Sequence, residues 1–356
     1  MQDSSTPVYR NKDFSHLRNL LIESNQYRDT WYFPESAYWI TFDNSVPMFL
    51  TPYLEARLQY ILYCDSLGID RHLTFSSGWE WNHWLIDWSI ARWCWNNQTQ
   101  PHPLQFLEAV IKDAAIIDYA EKANILQQSF IKDKQLIKIL TAQTITDEIG
   151  GKLNFEFHPR PEFAYKYILN KATKSELEFL QNKYDCELDS FIQLYNQLKS
   201  AYSLVKSNEL VDELLLSLDV TALRADHRKN TLSYLIGSRI NSINKTNISV
   251  QHFLDAAKSI RERGLTLVKQ QENNYRYALS SIAAEKKSKT VYDFGYLYTV
   301  SDLHFWEREE LQAKNNKWKF WYQNIWDVLK IIGVKKVNRV TIIVVGFFSL
   351  LQTNIK

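Results

Sequence analysis

Every tryptophan of this 356-residue chain lies between positions 31 and 95 or between 306 and 326, and six of the twelve crowd into positions 79 to 95. Tryptophan is the bulkiest side chain and carries an indole N–H that needs a partner when buried, so such a crowd demands either an unusually aromatic core or a lined cleft. The crowded stretch, residues 72–96, opens His72-Leu73-Thr74-Phe75-Ser76-Ser77-Gly78-Trp79-Glu80-Trp81 and runs on through Trp84, Asp87, Trp88, Arg92, Trp93 and Trp95. Residues 72–77 favour a strand and Gly78 a tight turn. Trp81, Trp84, Leu85, Trp88 and Arg92 follow helical spacing. Glu80 therefore stands at a strand-to-helix junction, flanked by two indoles.

With nine glycines and eight prolines, the chain has little turn material for a many-stranded sandwich, and its hydrophobic spacing is mostly helical. The expected class is α+β, predominantly helical: a small aromatic-rich, strand-containing N-terminal part followed by a large helical domain. Strands are expected at 30–33, 37–42 and 72–77. Helices are expected at 14–26, 47–67, 104–149 with a break near Ser129, 175–206, 209–241, 250–284 and 302–319, the last N-capped by Ser301. The organisation that follows is 1–100 as an aromatic part carrying the candidate site and 101–288 as a helical domain. An aromatic segment at 289–326 would pack back on the first part, and 327–356 would form a hydrophobic tail. The helical domain has no tryptophan, so the two aromatic blocks are expected to meet with that domain as their scaffold.

The 42 basic and 40 acidic side chains give a net charge of only +2 and are mixed along the chain. There is no field of the kind nucleic-acid binders use, so no nucleic-acid partner is expected. Cys64, Cys94 and Cys186 form no CxxC pair and read as buried thiols of a reducing compartment. The polar N-terminus lacks a signal-peptide pattern, which points to a cytoplasmic protein. Residues 337–355, bounded by Val337 and Ile355, are apolar at their centre. They read first as a buried terminal element, and alternatively as a membrane anchor, with Lys335, Lys336 and Arg339 on its cytoplasmic side. Oligomeric state is not written in the pattern.

Three constellations could carry chemistry. Glu80, desolvated by Trp79 and Trp81, suits a general acid, because burial raises a carboxyl pKa. Glycoside hydrolysis needs two carboxylates, and Glu35 is the best partner for Glu80, with Asp43 second. The competing reading has Glu80 as a helix cap or the partner of Arg92, and the indoles as plain core. Next, Glu80, His83 and Asp87 share a helical face and could line a groove. A Glu-x-x-His pair also occurs in di-iron bundles, but no second copy is present, so neither a metal nor a cofactor is expected. The third is the 302–319 helix with His304, Trp306, Glu307, Arg308, Glu309 and Glu310. Its alternating charges read as a solvated face; in the functional reading Tyr296, Tyr298, His304 and Trp306 close over the groove. Arg224, Asp226, His227 and Arg228 pose the same choice.

GxGxxG after a strand, GxxxxGK[ST], GxSxG and HExxH are all absent, which removes dinucleotide, P-loop, serine-hydrolase and zincin readings. The expected function is a glycosidase-like, carbohydrate-active enzyme with Glu80 as general acid. Its substrate, a glycan or small molecule, would lie against Trp79, Trp81, Trp84, His83, Asp87, Tyr296, His304 and Trp306. The alternative is a non-catalytic carbohydrate-binding or scaffold protein.

Overall fold

Leu54, Leu58 and Ile61 recur at helical spacing, and all three are buried on one face of helix α2 (Thr51–Ser66). The computed structural model containing this helix describes residues 15–32, 49–73, 83–96, 104, 107–134, 136–140, 165–204, 209–272 and 303–315. The strand expected at 37–42 and the 337–355 tail lie outside these residues. Pro52 sits in the first turn of α2, where its missing N–H costs no intrahelical bond. The helix closes at Gly68, whose φ of +71° is free of strain only for glycine, and the Ile69 N–H returns to the Cys64 carbonyl at 2.9 Å.

Strand β1 (Trp31–Tyr32) precedes α2 and strand β2 (Arg71–His72) follows it. The two pair in parallel, with Trp31 opposite Arg71 and Tyr32 opposite His72. Two residues per strand make too few ladder bonds to stand alone. Side chains supply the rest: Tyr32 stacks on Tyr60 of α2 at 5.9 Å and meets the edge of His72 at 5.5 Å. Below them a small core gathers Leu21 from helix α1 (Ser15–Tyr27), Tyr60, Cys64 and Ile69. The fold is thus α+β and predominantly helical, as the patterning implies.

Helix α3 (His83–Trp95) forms where expected. Leu85, Ser89, Ile90 and Trp93 are buried, Trp88 is half-buried and Arg92 is exposed. The stripe of 85, 89, 90 and 93 hides two branched aliphatics and one indole without burying the Arg92 cation, which is the cheaper choice. Of the three cysteines only Cys64 is a buried thiol, its pKa pushed up to about 11 by burial; Cys94 and Cys186 are exposed, against expectation.

The described residues of the 104–149 region are more segmented than their hydrophobic pattern suggests. Helix α4 (Leu107–Val110) ends early, and Asp113 then caps α5 (Ala114–Gln127) by accepting from the Ala115 and Ile116 N–H groups. The break near Ser129 is a π-helical turn, Gln128–Asp133, and α6 (Ile137–Leu140) follows. After α7 (Tyr165–Asn170), α8 (Lys174–Leu180) starts on a capping box between Thr173 and Glu176. It passes through a second π turn, Gln181–Asp185, into α9 (Cys186–Ser200).

Helix α10 (Glu209–Asn244) is the axis of the described structure. It touches α6, α7, α8, α9, α11 (Gln251–Glu272) and α12 (His304–Asn315). A helix surrounded in this way should be apolar all round, yet Glu213, Ser217, Thr221, Arg224, Arg228 and Thr231 are buried along it at spacings of four, four, three, four and three. They form one polar seam. Its upper part docks the start of α2: the Phe49 N–H donates to Thr221 Oγ1 at 3.2 Å, and Gln127 brackets the same turn by bonding the Phe49 carbonyl and the Thr51 N–H.

Candidate functional site

Buried charge among the described residues gathers at the seam's lower part, Arg224 and Arg228, with His227 beside them. Positions i, i+3 and i+4 of α10 point one way, toward Trp306, Glu309, Glu310 and Ala313 of α12, which share a face by the same rule. Arg224 grips Glu309 with both arms, Nη1 donating to Oε2 at 2.6 Å and Nη2 to Oε1 at 2.7 Å, while its Nε donates to the Leu140 carbonyl at 2.9 Å. Arg228 lies 3.2 Å from the same Glu309 oxygen, and donates to the Tyr165 hydroxyl at 2.5 Å and the Ile139 carbonyl at 2.7 Å. Glu310 accepts from Arg261 of α11 at 2.7 and 3.2 Å and from His227 at 3.1 Å. The Trp306 ring roofs the cluster, 4.9 Å from the His227 ring and 5.3 Å from the Arg224 guanidinium. Arg224, His227, Glu309 and Trp306 have no exposure at all.

Burial alone would raise the Glu309 carboxyl, but the charges of Arg224 and Arg228 outweigh it and hold the group down at about 2. Glu310 is likewise held low against burial, by the His227 hydrogen bond and then Arg261. Burial lowers His227, and the neighbouring Arg224 charge adds to that against the upward pull of Glu310. The partners also decide its tautomer. A guanidinium can only donate, so Nδ1, 3.3 Å from Arg224 Nη1, must be the bare acceptor. An ionised carboxylate can only accept, so Nε2 carries the proton toward Glu310. His227 is neutral.

An ionised glutamate clasped by two arginines is the opposite of a general acid. The cluster is a lock between α10, α11 and α12, with its carboxylates already committed. This overturns the solvated reading of the 302–319 helix for two of its charges, because Glu309 and Glu310 turn inward while Lys314 faces out. Among the described residues, no group of three or more His, Cys, Asp or Glu side chains is placed to hold a metal ion.

The residues expected to form a carbohydrate site fall into three sets. Glu35, Asp43, Trp79, Glu80, Trp81 and Tyr296 lie outside the described residues. For His83 and Trp84, at the start of α3, and His304, at the start of α12, the helical backbone alone is described. Asp87 is half-buried on α3, and Trp306 is in the ionic lock described above. The described indoles of the 79–95 crowd divide sharply: Trp93 is 1% exposed, Trp88 packs against the core and Trp95 is 89% exposed. No family model, curated protein or solved structure matches this chain. The geometry is therefore the whole basis for a functional reading.

The ionic lock had a usable sequence signal. Arg-x-x-His-Arg on one helix and Trp-x-x-Glu-Glu on another present complementary charge at the same i, i+3, i+4 spacing. Each alone reads as an ordinary charged surface, and the pairing of the two is what distinguishes them.

Proposed function

We propose that the protein binds carbohydrate through exposed aromatic side chains of its N-terminal part, with the helical body as a scaffold. The observation that carries this is Trp95, 89% exposed on a helix that hides Trp93. An indole left in water wastes a large apolar face, and the apolar face of a sugar ring is a natural cover for it. Arg92, exposed one turn earlier on the same helix, supplies donors for sugar hydroxyls. A second exposed indole, Trp31 on β1, is backed by the Arg71 guanidinium at 5.7 Å. The hydrolytic form of the proposal adds Glu80 as general acid and Glu35, or else Asp43, as nucleophile or base.

The test is affinity electrophoresis of the full chain through gels carrying a panel of soluble polysaccharides. At least one should retard the wild type, and Trp95→Ala should weaken that retardation about tenfold with its circular dichroism unchanged. Free migration in every gel would refute carbohydrate binding. Release of reducing sugar from the bound polysaccharide, abolished in Glu80→Gln, would establish the hydrolytic form; binding without release would establish the scaffold form.

A further inference from the structure

We propose, on the carbohydrate reading above, that the sugar taken by the Arg92 and Trp95 face of α3 is acidic: a uronate whose carboxylate is held by the Arg92 guanidinium while its ring lies on the Trp95 indole. Two side chains three apart on a helix share a face, close enough to act on one sugar unit. Arg92 and Trp95 are so placed, and both are exposed. Among the described residues the Arg92 guanidinium enters no hydrogen bond, ion pair or ring contact.

An exposed arginine without a counter-charge keeps all five donors, in a planar fork that matches a carboxylate through two parallel bonds. The other exposed side chains of this turn, Ala91 and Cys94, add no carboxylate or carbonyl, and Asn96 offers a single amide. A neutral sugar brings hydroxyls that donate as well as accept, and these side chains give the donors almost nothing to meet. A uronate brings the acceptors that the face lacks.

The surrounding charges leave Arg92 uncancelled. No Asp or Glu occurs between positions 88 and 107, and Asp87, five residues before Arg92, is half-buried. On α2, the helix packed against α3, Glu55 is bound by Lys132 at 3.0 Å, and Asp65 is exposed without an ion pair to Arg92. The second exposed indole has the opposite arrangement. Arg71 beneath Trp31 is bound by Asp29 at 2.6 Å and approached by Asp70 at 4.0 Å, and both carboxylates are well exposed. An acidic sugar on Trp31 would meet two like charges against one cation, so that indole suits a neutral unit.

Affinity electrophoresis of the full chain in polygalacturonate, alginate and hyaluronan tests this, each run beside the same polymer with its carboxyl groups reduced to alcohols. Polyglutamate serves as a polyanion without sugar. At least one uronate polymer should retard the wild type about tenfold more strongly than its reduced form does, and more strongly than polyglutamate. Arg92→Gln should erase that difference with its circular dichroism unchanged. Arg92→Lys should keep only part of it, because an ammonium preserves the charge without the fork. Equal retardation by a uronate polymer and its reduced form would overturn the acidic-sugar proposal and leave carbohydrate binding standing. Equal retardation by polyglutamate, or an unchanged preference in Arg92→Gln, would overturn it by placing the anion elsewhere. Free migration in every gel, neutral and acidic, removes carbohydrate binding itself. The wild-type comparison of each polymer with its reduced form decides the matter without any variant.

Discussion

Glu309→Gln is expected to lower the unfolding free energy by about 3–5 kcal/mol, read from urea denaturation at neutral pH. The change is nearly isosteric, so its cost is electrostatic: Arg224 and Arg228 remain buried while their shared counter-charge disappears. Stranding a buried charge costs far more than its pairing gains over an apolar filling, because the desolvation of both partners has already been incurred. The contrast lies on the surface of α11, where Lys258 and Glu262 stand 3.7 Å apart and well exposed. Water screens that pair, and Glu262→Gln should change stability by no more than about 0.5 kcal/mol.

Trp306→Ala is expected to cost a similar amount, about 3–5 kcal/mol in the same assay, through a cavity rather than a charge. The indole is fully buried, covers His227 and Arg224, and lies 3.7 Å from where a Cβ on Gly264 would stand. Trp306→Phe should recover much of the loss. It keeps a ring over the cations and sacrifices no hydrogen bond, since among the described residues the Trp306 indole N–H has no acceptor. Trp95, exposed on α3, should tolerate alanine within about 0.5 kcal/mol, which separates its proposed binding role from any role in the core.

Much of the helical framework was legible from hydrophobic spacing and caps. Helices α1, α2 and α10 lie close to their expected limits, the helix expected at 175–206 divides into α8 and α9 about a π turn, and Gly68 closes α2 as its position implies. The π turns at 128–133 and 181–185 were not legible, because one extra residue in a turn leaves helical spacing almost intact. The face of α3 was legible only in part. Of the positions at helical spacing, Leu85 is buried and Trp88 packs against the core, whereas Arg92 is exposed and Ile90 and Trp93 complete the buried face, which spares the cost of hiding a cation. The lock at Arg224 and Glu309 spans 85 residues, and no local pattern states which charged faces will meet. Trp306 shows the same limit: an aromatic that reads as a lid over a groove is packed on buried cations.

A double-mutant cycle between Arg224 and Glu309 tests the central claim, that a buried ion pair holds α12 to the axial helix. Arg224→Met, Glu309→Leu and the double variant are compared with wild type by urea denaturation at neutral pH. The two losses should be strongly non-additive, with a coupling of about 2 kcal/mol or more. Losses that add within about 0.5 kcal/mol would mean that the two side chains do not act on one another in the folded protein.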